Sequence, residues 1–425
     1  MNSIFFFIIA IAFIFSAISQ FAFVPENLDA VAPMQALAMG ILDSAKSAVD
    51  LSLGLVGAMA LFLGLMKVAE NGGLLKIIAK LLRPLMIRLF PNIPDNHPAM
   101  GSIIMNISAN VMGLGNAATP FGIRAMQQLD ELNPKKGTAS DAMILFLAIN
   151  TSSVTLLPTG VIALRASAGS SDPAGILPTT LFATACSTIV AVLAAKFYGR
   201  VWAKKGASEN LVASQDQPIL SEEPEKAFHP FISYFCLFAL ACLFPLAVLF
   251  GKQIAPWIIP VLVLGLLSFG FIKKVPIYES FVDGAKDGFS VALKIIPYLV
   301  AILVAVNMFR ISGALDFFIK PLSTFTQLFG LPAEALPMAL LRPLSGSGAY
   351  GILASIINNP DIGPDSYIGY LVSTFQGSTE TTFYVIAVYF GAIQVTKMRY
   401  ALWAALSADL AGILGAVFIC HWLYG

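Results

Sequence analysis

Apolar runs of about 20 residues recur along the whole chain, beginning with IFFFIIAIAFIFSAISQFAF at 4–23. A helix of about 20 apolar residues is long enough to cross the hydrocarbon core of a bilayer. Further candidate segments are 48–69, 98–112, 140–164, 175–197, 231–250, 254–272, 290–309, 333–341, 367–376, 382–396 and 401–423. Only 12% of the residues are charged and 57% are hydrophobic, against about 25% charge in ordinary soluble domains. A soluble protein with a very large core does not fit runs this many and this long. The expected fold class is therefore all-α, a multi-pass membrane protein.

The first run resembles a signal peptide in position, but no Lys or Arg precedes it and its apolar stretch is longer than a signal core. It reads as a retained first span. Segment 74–90, LLKIIAKLLRPLMIRLF, places Lys76, Lys80, Arg83 and Arg88 on one broad helical face. That pattern fits a helix lying along the membrane surface or packed at its edge, and equally an ordinary loop helix.

Between about 200 and 229 the character changes. ASENLVASQDQPILSEEPEK is polar and acidic, a linker between two halves. Lys196, Arg200, Lys204 and Lys205 precede it, and cations flanking a span favour the cytoplasmic side. Lys273 and Lys274 fall on the same side if 231–250 and 254–272 form a hairpin. The expected division is an N-terminal helix and connection (1–40), a first repeat (41–199), a cytoplasmic linker (200–229), and a second repeat with its preceding hairpin (230–425).

The halves resemble each other. Asp43, Ala45, Lys46 and Gly73 match Asp283, Ala285, Lys286 and Gly313 in a single register. Further on, Gly115 sits where Gly346 does, and INTSSVTLLP (149–158) matches FQGSTETTFY (375–384). Transporters are commonly built from two such repeats with a site at their interface. Parallel and inverted repeats look alike in sequence; the inverted arrangement is the one expected here.

Four stretches break the helical pattern, two in each half. They are NVMGLGNAATP (110–120), NTSSVTLLPTG (150–160), LRPLSGSG (341–348) and STFQGSTETT (373–382). Pro120, Pro158 and Pro343 each lack a helix donor, and the glycines allow tight turns or close packing. Irregular backbone survives at membrane depth only where protein or water covers it. One reading makes the four stretches broken or re-entrant helices around a polar solute. The other makes them small-residue packing seams. Asn116, Asn150 and Gln376 favour a site, because long amides pack poorly in lipid. The candidate binding residues are Asn116, Thr119, Asn150, Ser152, Ser153, Arg342, Ser345, Ser347, Gln376, Ser378, Thr379 and Glu380.

Charges inside a membrane face a cavity or a partner. Arg342 and Glu380 form a pair in one reading. In the other, Arg342 meets an anion and Glu380 takes a proton or a cation. Lys294, Asp141 and Asp409 are weaker candidates near an interface. INNPDIGPDSY (357–367), with Asp361 and Asp365, reads as a solvent loop without EF-hand spacing.

Other chemistry has little support. The net charge of +1 offers nothing to nucleic acid. Cys186, Cys236, Cys242 and Cys420 have no CxxC spacing, and His97, His229 and His421 are scattered, so no metal and no cofactor is expected. No P-loop, HExxH or GxSxG occurs, and no histidine lies near Ser345 or Ser347 in the sequence, so an enzyme is not expected.

MGLGNAATPFGIRAM (112–126) resembles the signature of the spore maturation protein A group. LLRPLSGSGAYG (340–351) and GPDSYIGYLVSTFQGSTETTFYV (363–385) resemble that of the B group. Both belong with the nucleoside recognition, or Gate, domain proteins. The resemblance covers nearly the whole chain, A-like to about 200 and B-like from about 230, as a fusion of what are usually two proteins. It implies a bacterial inner-membrane protein whose Gate regions are similar to those of ferrous iron and concentrative nucleoside transporters. The function expected is a secondary transporter or permease for a small polar or anionic solute, with proton or sodium coupling carried by Glu380. The alternative is a non-transport scaffold or regulator of envelope or spore maturation, acting through lipid or protein partners. Membrane lipid is an expected partner in either case, and self-association is an open expectation.

Overall fold

In the computed structural model the apolar runs are helices, and strand pairing among the described residues is limited to one bridge, Thr138 to Lys397. Described are residues 2–25, 31–153, 155–203, 230–315, 317–318, 321 and 326–425. The first half holds α1 (Asn2–Phe21), α2 (Pro33–Asn71), α3 (Leu74–Leu89), α4 (Pro98–Val111), α5 (Gly115–Glu131), α6 (Asp141–Thr151), α7 (Thr159–Ser167) and α8 (Ile176–Ala203). After the linker come α9 (Pro230–Ile272), α10 (Ile277–Ile311), α11 (Leu336–Leu341), α12 (Gly346–Ile357), α13 (Tyr367–Ser378), α14 (Thr382–Ala392) and α15 (Ala401–Tyr424). By length and composition Pro33–Asn71, Ile176–Trp202 and Ala401–Tyr424 can each cross a membrane.

Two long antiparallel pairs frame the molecule. α2 and α10 are tied at one end by Asn307, whose Nδ2 donates to Ser44 Oγ at 2.8 Å, and at the other by Asn71 on Ser280 at 2.9 Å. Gly288 lets their backbones touch, since a Cβ there would lie 2.6 Å from Ala60 Cα. Small residues at such seams replace the hydrophobic drive that lipid cannot supply. α8 and α15 form the second pair, with Ser187 Oγ donating to Ala408 O at 2.9 Å and Tyr424 OH to Gly175 O at 2.8 Å. Their outer faces carry Ile189, Leu193, Phe197, Trp403, Leu410, Leu414, Phe418 and Trp422, all exposed. An apolar face of this extent is suited to lipid.

Between these pairs lie two sets of short helices, each joined by a short non-helical stretch. α6 and α7 are separated by residues 152–158, and α13 and α14 by 379–381. α6 starts at a capping box on Ser140, and α13 at Ser366, whose hydroxyl accepts from Gly369 N at 3.0 Å. Such caps satisfy amides that a helix start leaves unpaired. Each half-helix is anchored in its own apolar cluster. α6 and α14 share one with α5 and the start of α15, through Met143, Phe146, Tyr389 and Tyr400. α7 and α13 share another with α12, through Leu164, Ile352 and Phe375. The non-helical stretches fall between the two apolar clusters.

Several expectations need correction. The hairpin expected over 231–250 and 254–272 is one continuous helix, α9. α2 runs through the boundary expected at 40/41. Asp365 is no free loop carboxylate, because it is tied to the buried Arg165 at 3.0 Å. Asp409 is buried in the bundle, 3% exposed. From residue 204 the linker lies outside the described residues, as do the side chains of Asn116 and Lys294.

Candidate functional site

The turn between α4 and α5, the two helix interruptions and the start of α12 meet at one cavity of about 240 Å³. The first half contributes Asn110, Gly113, Ser153, Thr155 and the start of α7 from Pro158 to Val161. The second half contributes Arg342, Gly346, Tyr350, Gln376, Gly377 and Glu380. Backbone bonds tie these segments together. Leu156 N donates to Val111 O at 3.0 Å, Glu380 N to Thr151 O at 2.9 Å, and Phe383 N to Pro343 O at 3.1 Å. The last two satisfy groups that the interrupted helices leave open.

Gly113 is required by two features at once. Its φ is +77°, and a Cβ would stand 2.6 Å from Leu157 O. Gly346 is crowded by Thr381, whose Oγ1 would lie 2.7 Å from an added Cβ. Glycine is the residue that lets backbone approach backbone here.

Arg342 is 4% exposed. Its Nη1 donates to Thr381 Oγ1 at 3.1 Å, and its Nη2 to Gln376 O at 3.2 Å and to Thr379 O. The guanidinium therefore closes the C-terminal end of α13, where carbonyls are unpaired and the helix dipole is negative. Glu380 Oε2 stands 3.8 Å from Nη2, with the Glu380 side chain 46% exposed. The ion pair weighed from the sequence is thus formed, and backbone carbonyls occupy much of the arginine as well. Gln376 Oε1 is buried and has no hydrogen-bond partner among the described residues.

Of the twelve sequence candidates, Ser153, Arg342, Gln376 and Glu380 line the cavity. Asn150 lies behind them: its Oδ1 accepts from Asn110 Nδ2 at 3.0 Å and from Tyr389 OH at 3.1 Å. Ser152 turns towards α8, with its Oγ 2.9 Å from Thr188 Oγ1. Ser345 caps α12 through Gly348 N at 3.0 Å. Ser347 follows on the first turn of α12 and Thr119 sits on α5, neither lining the cavity. Ser378 and Thr379 are buried, and Thr379 packs towards Gly412 of α15. The sequence reading missed Asn110, Thr155, Thr159 and Tyr350. Asn110, Thr155 and Thr159 lie inside the flagged stretches. Tyr350 is one turn beyond Gly346 on α12, the spacing that puts both on one face; its OH donates to Gly160 O at 2.6 Å.

Polar half-helix ends enclosed between apolar clusters, in a chain with three helices able to cross a bilayer, define a helical membrane protein. The chain belongs to the Gate (nucleoside recognition) family, whose profile matches residues 52–168 and 292–396. It is 50% identical to spore maturation protein B of Bacillus subtilis (strain 168) over 167 residues, which cover 39% of this chain and 93% of that protein. It is 46% identical to spore maturation protein A of the same organism over 166 residues, covering 39% of this chain and 85% of that protein. Inner membrane protein YjiG of Escherichia coli (strain K12) is 33% identical over 81 residues, 19% of this chain and 53% of that protein. No solved structure matches the chain.

Proposed function

We propose that this chain is a multi-pass inner-membrane carrier that moves a small polar or anionic solute, coupled to a proton or sodium, and that it is not an enzyme. The observation that carries the reading is the convergence of four irregular segments, two from each half, on one polar cavity. A packing seam would be dry and closed. Here Glu380 reaches the cavity as a half-exposed carboxylate.

The two Gate segments are read as two copies of one unit with inverted topology. α2, α4–α5, α6–α7 and α8 correspond to α10, α11–α12, α13–α14 and α15. In support, α2 runs antiparallel to α10 and α8 to α15. α4, at 14 residues, is about 21 Å long by its rise per residue, short of a ~30 Å hydrocarbon core. That favours a re-entrant hairpin for α4–α5.

Towards each end of the helix bundle an Arg–Asp pair joins the halves, and these pairs are read as latches. Arg399 holds Asp141 at 2.8 Å beside Tyr400, and Arg165 holds Asp365 at 3.0 Å. We assign the Arg399 end to the cytoplasm, because Lys135, Lys136, Lys397 and the Arg200 end of α8 gather there. Opening one latch while the other stays shut gives the cavity access to one side at a time.

A thermal-shift panel of nucleosides, amino acids and small carboxylates, each with and without sodium, tests the reading. A member that stabilises the purified protein, loses its effect in Gln376→Ala, and is carried into proteoliposomes supports it. Glu380→Gln is expected to stop that flux in a folded protein. No stabilising member, or flux unchanged in both variants, would overturn it.

A further inference from the structure

Asp409 has no part in the cavity lining, yet its surroundings are unusual for a carboxyl group. It lies on α15 with 3% of its surface exposed. Its Oδ2 accepts the hydroxyl of Thr382 at 2.6 Å. Its Oδ1 is buried with no hydrogen-bond partner among the described residues. Thr382 is the first residue of α14, so Asp409 stands at the back of the interruption whose front carries Glu380.

The groups around Asp409 are few. Arg342, from the turn before α12, is the charged side chain that acts on it. α8 offers Ser187, whose hydroxyl is committed to Ala408 O, and Cys186, which packs against Gly415. α13 offers the hydroxyls Ser378 and Thr379, and α14 offers Thr382; Tyr389 farther along α14 is engaged with Asn150. Asp141 of α6 is held by Arg399 and Tyr400 at the start of α15, and Tyr198 of α8 lies 3.5 Å from Ser407.

Asp409 thus has one oxygen hydrogen-bonded and one that meets no donor among the described residues, enclosed between α14 and α15. Ionisable side chains enclosed in a membrane bundle in this way are where proton relays are built. Glu380 is open to the cavity, with its side chain 46% exposed. Arg342 connects the two, since it contacts Glu380 and acts on Asp409. With both carboxyls ionised, this cluster carries two negative charges against one positive. One proton at Asp409 leaves Glu380 as the sole counter-charge of Arg342.

We propose that Asp409 is a proton-binding site, and that the proton coupled to the solute is held there rather than at Glu380. The step is the formation of one O–H bond at Oδ1 with a proton from water, and nothing else changes covalently. The coupling rests on the carrier reading; the proton site does not.

Infrared spectroscopy of the full-length protein in detergent, titrated from about pH 5 to about pH 9, reads this directly. The wild-type protein is expected to show the carbonyl stretch of a protonated carboxyl in dry surroundings, disappearing as pH rises. The band is expected to be lost in Asp409→Asn, kept in Glu380→Gln, and shifted in frequency in Asp409→Glu, which retains a carboxyl at the site. A titrating band that survives Asp409→Asn and is unmoved in Asp409→Glu, or no titrating band at all, overturns the proposal. Because no solute is needed, failure of the flux experiment leaves this result standing, and loss of the proton site leaves the carrier reading standing.

Discussion

Arg165 and Asp365 hold each other at 3.0 Å, although 200 residues separate them in the chain. The guanidinium is fully buried. It also donates to Pro364 O at 2.5 Å and Asp172 O at 3.1 Å, and lies over the ring of Tyr370 at 4.2 Å. It thereby joins the loop after α7 to the loop before α13.

Removing one partner of this pair is expected to have unequal effects. Asp365→Ala takes from a buried cation its directly paired carboxylate and leaves only Asp172 nearby, which costs at most roughly 3–5 kcal/mol, the figure for a fully buried pair. Arg165→Met removes that charge and fills much of its volume, so it should cost clearly less. Thermal unfolding of both variants in detergent checks the order, and equal losses would contradict it.

The same loop gives a pH dependence. Burial works against ionisation of Asp365, but hydrogen bonds from Ser170 and Ser171 and the Arg165 charge outweigh it and hold the carboxyl below the usual range. A carboxyl with a depressed value in the folded state stabilises that state above its unfolded value, about 3.9. The contribution disappears as pH falls through the folded value. Melting temperature against pH should therefore decline in acid more steeply for the wild-type protein than for Asp365→Asn.

Arg342→Lys should fail to substitute. A lysine ammonium cannot reach the Gln376 and Thr379 carbonyls and the Thr381 hydroxyl with the fork of a guanidinium. Each lost charge-assisted hydrogen bond is worth about 1.5–3 kcal/mol. A melting temperature equal to that of the wild type would show that the end of α13 does not depend on the fork.

Gly113→Ala is expected to destabilise by more than about 1 kcal/mol, because the positive φ and the nearby Leu157 carbonyl both oppose a Cβ. Gly101→Ala is the control. Gly101 lies within α4, and nothing stands within 4 Å of its Cβ position. There alanine should be neutral or slightly stabilising.

Tyr389→Phe removes the hydroxyl that bridges Asn106 Nδ2 at 3.1 Å and Asn150 Oδ1 at 3.1 Å. A loss of about 1–3 kcal/mol is expected from the polar atoms left behind. Asn150→Leu should cost more, since it also strands Asn110. The reverse order, read from thermal unfolding, would show that the tyrosine anchors the network.

The helical class and the interruptions were legible because both are written locally. Long apolar runs select spans, and clusters of glycine, proline and hydroxyl residues end them. That is why Gln376 and Glu380, picked out in the sequence, are found lining the cavity. Arg165 could not be picked out, since a single arginine in TGVIALRAS says nothing of a partner 200 residues away. Asp409 looked peripheral because depth in the bundle depends on how α15 packs against α8 and α14. The hairpin expected over 231–250 and 254–272 does not form, because a short gap between two apolar runs does not end a helix unless it also caps it, and α9 continues through residues 251–253.

The bond from Glu380 N to Thr151 O joins one interrupted helix to the other, and each belongs to a different half. Were the halves carried on two polypeptides, this bond would cross a subunit boundary and exist only in the assembled fraction, rising and falling with expression level. A covalent connection turns that encounter into an intramolecular event at an effective concentration on the order of millimolar. The cavity of one molecule is then complete at any dilution, and partnerless halves cannot arise.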